Sequence, residues 1–249
     1  MKLFVVCFFC LLADGLVAQP TFVTTQKSLV KLSPVYKQQE DTLIKQFKAK
    51  DIAWPPKQIY VRTFKIDQMM EVWVKDADYG NFKFFKNYKV CMQSGTMGPK
   101  RMEGDYQVPE GFYYINEFNP NSNYHLSLGI NYPNASDRIL SDPVQPGSDI
   151  YIHGNCVSTG CIAITDVPIE ELYILGSYAR ANGQDFIPVH VYPVKYDVKA
   201  SMEKLQQAMK ADKSLKKFEM AIKEAYDYFE AQKKLPVIMV TKKGDYVIN

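Results

Sequence analysis

An α+β fold is predicted for this 249-residue chain by three observations. Segments with apolar residues at every second position cluster over 58–93 and return over 149–165 and 186–194. Amphipathic helical spacing is confined to the segments before 52, between 167 and 182, and after 199. No internal repeat or low-complexity tract divides these regions, so one domain is expected rather than two independent ones. Apolar residues make up 47% of the chain and charged residues 23%, which excludes a disordered tail protein and allows a sizeable core. The net charge is +3 with no dense Lys/Arg tract, so a nucleic-acid partner is not expected.

The first residues read MKLFVVCFFCLLADGLVAQP. Lys2 is a short positive start, Leu3 to Leu12 is uncharged and apolar, and Ala13 to Ala18 offers small residues for cleavage. This is the pattern of a secretory signal peptide over 1–18, cut after Ala18. The apolar run falls short of the roughly 20 residues of a bilayer span, and no later stretch reaches that length. No stable membrane span is therefore expected after cleavage. Cys7 and Cys10 lack a lipidation context.

Leu32, Tyr36, Leu43, Ile44 and Phe47 give residues 31–51 helical spacing, ended by Trp54-Pro55-Pro56. Residues 58–66 and 69–75 alternate as strands, 76–81 is a turn, and 82–93 gives two more short strands. Spacing of this kind predicts an antiparallel β core. Residues 95–146 are dense in Gly, Pro, Asn and Asp with many aromatics, the composition of long binding loops on a scaffold. Strand-turn-strand patterning resumes over 149–165. Residues 167–182 predict a helix capped by Asp166 with Pro168 in its first turn. A strand follows over 186–194, then helices over 200–209 and 213–233, a stop at Pro236, and a closing strand and turn over 237–248.

The densest chemistry is Ile152-His153-Gly154-Asn155-Cys156-Val157-Ser158-Thr159-Gly160-Cys161. A thiol with a pKa of about 8.5 is a few per cent thiolate at neutral pH, and a nearby imidazole supplies both a base and a counter-cation. A loop between adjacent strand ends can bring His153 and Cys161 face to face. Gly160 permits close backbone approach, which makes the amides of Gly160 and Cys161 candidates for an oxyanion hole.

The H-G…S-x-G-C arrangement resembles the L,D-transpeptidase (YkuD-type) catalytic domain, and in particular its YafK-like branch. Ser158, Gly160 and Cys161 match that signature, and Thr159 stands where the main family has a second His. GPKRMEGDYQVPEGFYYI, NPNSNYHLSLGINYPN and PVHVYP are similar to the same branch, so the resemblance spans about 58–248. It implies a β-rich catalytic core over 58–195, an N-terminal helical lead-in over 19–57 and a helical extension over 196–249. It further implies a periplasmic or cell-wall enzyme that attacks the diaminopimelate carbonyl of peptidoglycan stem peptides through a Cys161 thioester. Transfer then goes to an amine or to water, and a murein-linked lipoprotein is a possible partner in the branch. By position, Cys161 is the nucleophile, His153 the base, Gly160 with the Cys161 amide the oxyanion donor, Ser158 a loop-orienting hydroxyl, and Gly154 the carbonyl that holds the base. Lys100, Glu103, Glu110, Asn121 and Tyr124 are candidates for contacting the zwitterionic substrate. No cofactor or metal is implied, and a monomer is expected.

Competing readings remain open at this stage. Removing the signal leaves Cys91, Cys156 and Cys161, an odd number. Cys156 and Cys161 are close enough in sequence for a disulfide, while Cys91 on a Val-Cys-Met strand reads as a small buried residue. His153, Cys156, Cys161 and His190 lack a standard zinc spacing. His190 and His125 read equally as structural histidines. A non-catalytic peptidoglycan-binding module and a general secreted thiol peptidase are the alternative functions.

Overall fold

The computed structural model describes residues 21–249; the predicted signal segment 1–18 lies outside the described residues. The chain starts with helices α1 (Phe22–Ser28) and α2 (Leu32–Ala49). Strands β1 (Gln58–Phe64), β2 (Met69–Lys75), β3 (Lys83–Lys89), β4 (Gly111–Asn119) and β5 (Ser127–Ile130) follow. After helix α3 (Ala135–Leu140) come β6 (Tyr151–His153), β7 (Ile162–Ala163), helix α4 (Asp166–Ala181) and β8 (Ile187–Tyr192). Helices α5 (Lys199–Ala211) and α6 (Lys213–Gln232) and a hairpin of β9 (Ile238–Val240) and β10 (Tyr246–Ile248) complete it.

Eight strands form one sheet in the order β3-β2-β1-β8-β4-β5-β6-β7. It is mixed, because β1 runs parallel to β8 and β6 parallel to β7, so the expected antiparallel core is only part of the truth. The sheet curls until its two ends meet. Just past β3, Met92 bridges to Ala163 on β7, with Cys91 N–H donating to Ala163 O at 2.9 Å and Ala163 N–H to Met92 O at 3.1 Å. The segment 82–93 is thus one strand plus this seam, not two strands.

Both faces of the central strands are covered, which explains why β1 is buried at six of its seven positions. Ile59 and Val61 face the α2 and α4 side, where Leu32, Leu43, Phe47, Leu172 and Leu175 complete the main core. The intervening Tyr60 and Phe64 face α6, packing with Phe229 and with Tyr226 and Tyr246. Period-two alternation therefore separates two cores rather than core from solvent. Arg62, on the α6 side, is 2% exposed. Its guanidinium binds Glu71 at 2.5 Å and Glu230 of α6 at 2.5 Å, and it lies over Trp73, Tyr226 and Phe229. That ion pair ties the C-terminal helix to the sheet.

Residues 95–146, expected as loops, contain β4, β5 and α3. β4 pairs with β8 in the middle of the sheet. Its alternation over Gly111–Ile115 is short and flanked on both sides by turn residues, so tertiary pairing rather than local pattern makes it a strand. Asp166 is the first residue of α4 rather than its cap; Thr165 holds the cap position and makes no side-chain cap bond. Among the described residues no helix is long and apolar enough to cross a membrane.

Candidate active site

His153 ends β6 and Ala163 sits beside it on β7, in parallel register. Parallel neighbours need a crossover, and here the connecting loop 154–161 carries Cys161 back to the start of β7, level with the start of β6. His153, Cys161, Tyr151, Ser127, Asn119, Asn121, Ser122, Asn123 and Tyr124 line one cavity of about 220 Å³. The structure therefore brings the predicted base and nucleophile into a single cleft, together with Asn121 and Tyr124.

His153 is nearly inaccessible, and its Nδ1 lies 2.7 Å from Gly154 O. A carbonyl can only accept, so Nδ1 carries the proton and Nε2 is left as the basic nitrogen. Burial lowers the His153 pKa from its ordinary value, opposed by that hydrogen bond. The Tyr124 ring covers the imidazole at a centroid distance of 4.7 Å. Helical-layer residues hold the Tyr124 loop in place: Lys31 donates to His125 O at 2.8 Å, and His125 meets Glu170 at 2.7 Å. Gln39 donates to the other Glu170 oxygen at 2.7 Å. His125 is thus a structural histidine behind the cleft.

Cys161 is the free cysteine among the described residues. Its sulfur accepts from Tyr151 N–H at 3.4 Å and its thiol donates to Asp149 O at 3.7 Å. No hydrogen bond joins it to His153 among the described residues. Burial raises the thiol pKa; the Tyr151 amide opposes this, Asp149 adds to it, and Lys100 opposes it. With the imidazole shifted down and the thiol up, the pair rests as neutral thiol and neutral imidazole at pH 7.

The loop is over-determined by short bonds. Ser158 Oγ accepts from Cys161 N–H at 3.0 Å and donates to Cys161 O at 2.7 Å, so it orients the loop. Gly160 has φ +90°, and its N–H donates to Ser94 Oγ at 2.7 Å. Both amides expected to be open oxyanion donors are thus occupied by serine hydroxyls. Gly154 is needed for close approach: an added Cβ would lie 2.7 Å from Asp166 Oδ1 and 2.8 Å from Tyr124 O.

The disulfide joins Cys91 to Cys156, not Cys156 to Cys161. Cys91 is therefore not a buried packing residue. It stands at the seam beside β7, where the curled sheet brings it to the loop between His153 and Cys161, a juxtaposition that neither segment encodes locally. Among the described residues no cluster of metal-ligating side chains occurs. His190 lies in the sheet interior, with Tyr60 OH 2.9 Å from Nδ1, and burial pushes its pKa down to about 3.

The three remaining substrate candidates are placed elsewhere. Glu110 is fully buried, paired with Lys65 at 2.9 Å and accepting from Gly98 N–H at 2.8 Å, so it anchors the 96–98 loop rather than meeting a ligand. Glu103 is exposed on the 101–105 turn and lines no part of the His153–Cys161 cavity. Lys100 is also outside the cavity lining, tied to Asp105 at 2.5 Å, and reaches Cys161 only through its charge. Tyr151 was legible in principle, since it lies two residues before His153 on the same strand face. Ser94 and Asp149 carry no local signal.

The L,D-transpeptidase catalytic domain family (YkuD) matches residues 57–179. "Putative L,D-transpeptidase YafK" of Escherichia coli K12 is 34% identical over 193 residues, covering 77% of this chain and 74% of that protein. The O157:H7 strain has a relative of the same description and identity. Among solved structures, the helical cell shape determining protein Pgp2 of Campylobacter jejuni aligns with a TM-score of 0.43 at 20% identity, over 79% of this chain and 80% of that one. Bd1075 of Bdellovibrio bacteriovorus aligns with a TM-score of 0.40 at 18% identity, over 68% and 60%. A curled mixed sheet presents His153 and the free Cys161 in one cleft. The chain belongs to the L,D-transpeptidase (YkuD) family, with YafK among its relatives, and that membership implies peptidoglycan-related acyl transfer.

Proposed function

We propose that the protein is a secreted cysteine acyl-transfer enzyme that acts on the diaminopimelate carbonyl of peptidoglycan stem peptides. The observation that carries this reading is the shared cavity of His153 and Cys161, with the imidazole already held in the tautomer a base requires. On substrate entry the thiol exchanges the Asp149 carbonyl for His153 Nε2, which takes its proton. Sulfur forms a bond to the carbonyl carbon and the tetrahedral oxygen becomes negative. Gly160 and Cys161 amides stabilise that charge once the Ser94 and Ser158 hydroxyls give way. The C–N bond then breaks, and His153 returns the proton to the departing amine. The Cys161 thioester is resolved by an amine, giving a cross-link, or by water, giving hydrolysis; release of a murein-linked lipoprotein is the hydrolytic case. The Asn-rich wall at 119–123 and Tyr124 supply neutral hydrogen-bonding groups for the zwitterionic end of the substrate.

The Cys91–Cys156 disulfide supports delivery to an oxidising compartment, in agreement with the signal pattern of residues 1–18. A binding module would have no use for a base in a prepared tautomer beside a free thiol. The test is incubation of the chain from 19 onward, wild type and Cys161→Ala, with diaminopimelate tetrapeptide muropeptides and with lipoprotein-linked murein, read by mass spectrometry. Dimers or cleaved products with wild type alone are expected and identify the acceptor. Absence of product from reduced-thiol, folded wild type on every substrate would sink the enzymatic reading.

A further inference from the structure

We propose that Asp166 is a positioning residue for His153, acting through the single peptide unit between residues 154 and 155; this rests on the reading of His153 as the base. Gly154 O accepts from His153 Nδ1–H at 2.7 Å, and Asn155 N–H donates to Asp166 Oδ1 at 2.7 Å. That carbonyl and that N–H belong to the same amide. A carboxylate on the N–H end draws the amide's polarisation toward it and leaves more negative charge on the carbonyl oxygen. The hydrogen bond to the imidazole strengthens, and an imidazolium at His153 is stabilised. Asp166 thus does, one peptide removed, what a directly bonded carboxylate does for the histidine of a Ser-His-Asp triad.

Three features show that the chain is arranged for this contact. Asp166 opens α4 without capping it, and its carboxylate turns to the neighbouring loop. The residues that deliver the two partners have left-handed backbone: Asn155 at φ 59° and Thr165 at φ 68°, the latter costly for a β-branched side chain. Gly154 lacks a Cβ where one would lie 2.7 Å from Asp166 Oδ1, so the amide can reach the carboxylate. Other groups around His153 act differently. The Cys161 thiol and the Tyr124 and Tyr151 phenols share its cavity, Lys100 and Asp149 bear on Cys161, and Glu170 is bound to His125.

The experiment follows the three imidazoles of the full mature chain by NMR across pH, in wild type, Asp166→Asn, Asp166→Ala and Asp166→Glu, with His153 assigned from His153→Gln. Asp166→Asn keeps an acceptor oxygen but removes the charge. Its His153 is expected to protonate at lower pH than in wild type, with the melting temperature unchanged, and Asp166→Glu to recover toward wild type. On peptidoglycan substrate, kcat should fall about tenfold in Asp166→Asn with KM unchanged, the low end of the loss seen when the hydrogen-bonded partner behind a metal-ligating histidine is removed. The acid limb of the pH profile should move down with the imidazole. A wild-type His153 titration in Asp166→Asn overturns the proposal. A shifted titration in a protein that turns over no murein substrate supports it while overturning the enzymatic reading.

Discussion

The body of the sheet and its seam are built by different rules. In the body, β1, β2 and β8 are six or seven residues long, buried on both faces, and held by apolar contact and the Arg62–Glu71–Glu230 ion pairs. At the seam, β6 and β7 have three and two residues, and Asp149, Asn155 and Thr165 all take left-handed backbone. There, single polar bonds and one disulfide add to the burial of Ile152, Ile162 and Ile164 in the main core. Three of the left-handed residues thus flank the candidate site, and the body supplies the rigidity that lets them persist.

The sharpest way to separate the regions is Cys161→Ala. Turnover should fall by roughly 10⁶-fold, the scale seen when a covalent nucleophile is removed, while the melting temperature stays that of wild type. The body should respond in the opposite sense. Arg62→Ala leaves Glu71 buried with Lys195 at 3.1 Å as its remaining counter-charge, beside an emptied aromatic cage, and should cost about 3 kcal/mol in denaturant unfolding. The folded fraction should keep wild-type kcat. Inactivity of folded Arg62→Ala protein would show that the two regions are coupled.

The disulfide lies between these extremes. Joint Cys91→Ser and Cys156→Ser substitution opens a loop of sequence separation 65 and should cost about 2–4 kcal/mol of stability. Activity should fall only in part, since Cys161 is untouched. Complete loss from the Cys156 change alone would overturn Cys161 as the nucleophile.

The smallest effect is a titration. Burial raises the Cys161 pKa above that of an ordinary thiol and lowers that of His153 below that of an ordinary imidazole. Alkylation of Cys161 by iodoacetamide in the free protein should therefore stay slow at pH 7 and rise with a midpoint above that of a free cysteine. The acid limb of kcat/KM should lie below pH 6.5, because the neutral imidazole persists to lower pH. An alkylation midpoint below pH 7 would mean that the pair rests as thiolate and imidazolium.

Much of the site was legible because its residues are local. His153, Gly154, Ser158, Gly160 and Cys161 fall within nine residues, and their spacing alone put base and thiol on one loop. Asn121 and Tyr124 were legible as polar and aromatic residues in a loop-like segment. Glu110 was misplaced because composition does not tell a solvated carboxylate from one buried against Lys65. The long strands β1 and β2 and the amphipathic helices were readable from period, whereas β4 was not, since its pairing with β8 lies some 75 residues away.

By itself the sequence determined the α+β class, the helices at both ends, the placement of His153 and Cys161 on one short loop, and the family. Those follow from short-range periodicity and from one compact motif. Tertiary structure alone decided that the sheet curls until its edges touch, that Cys91 pairs with Cys156 and leaves Cys161 free, and that Asp166 reaches the peptide behind His153. Each is a contact between segments whose separation in sequence carries no periodic trace. Such contacts arise only when twist and packing on both faces of the sheet bring its two ends together.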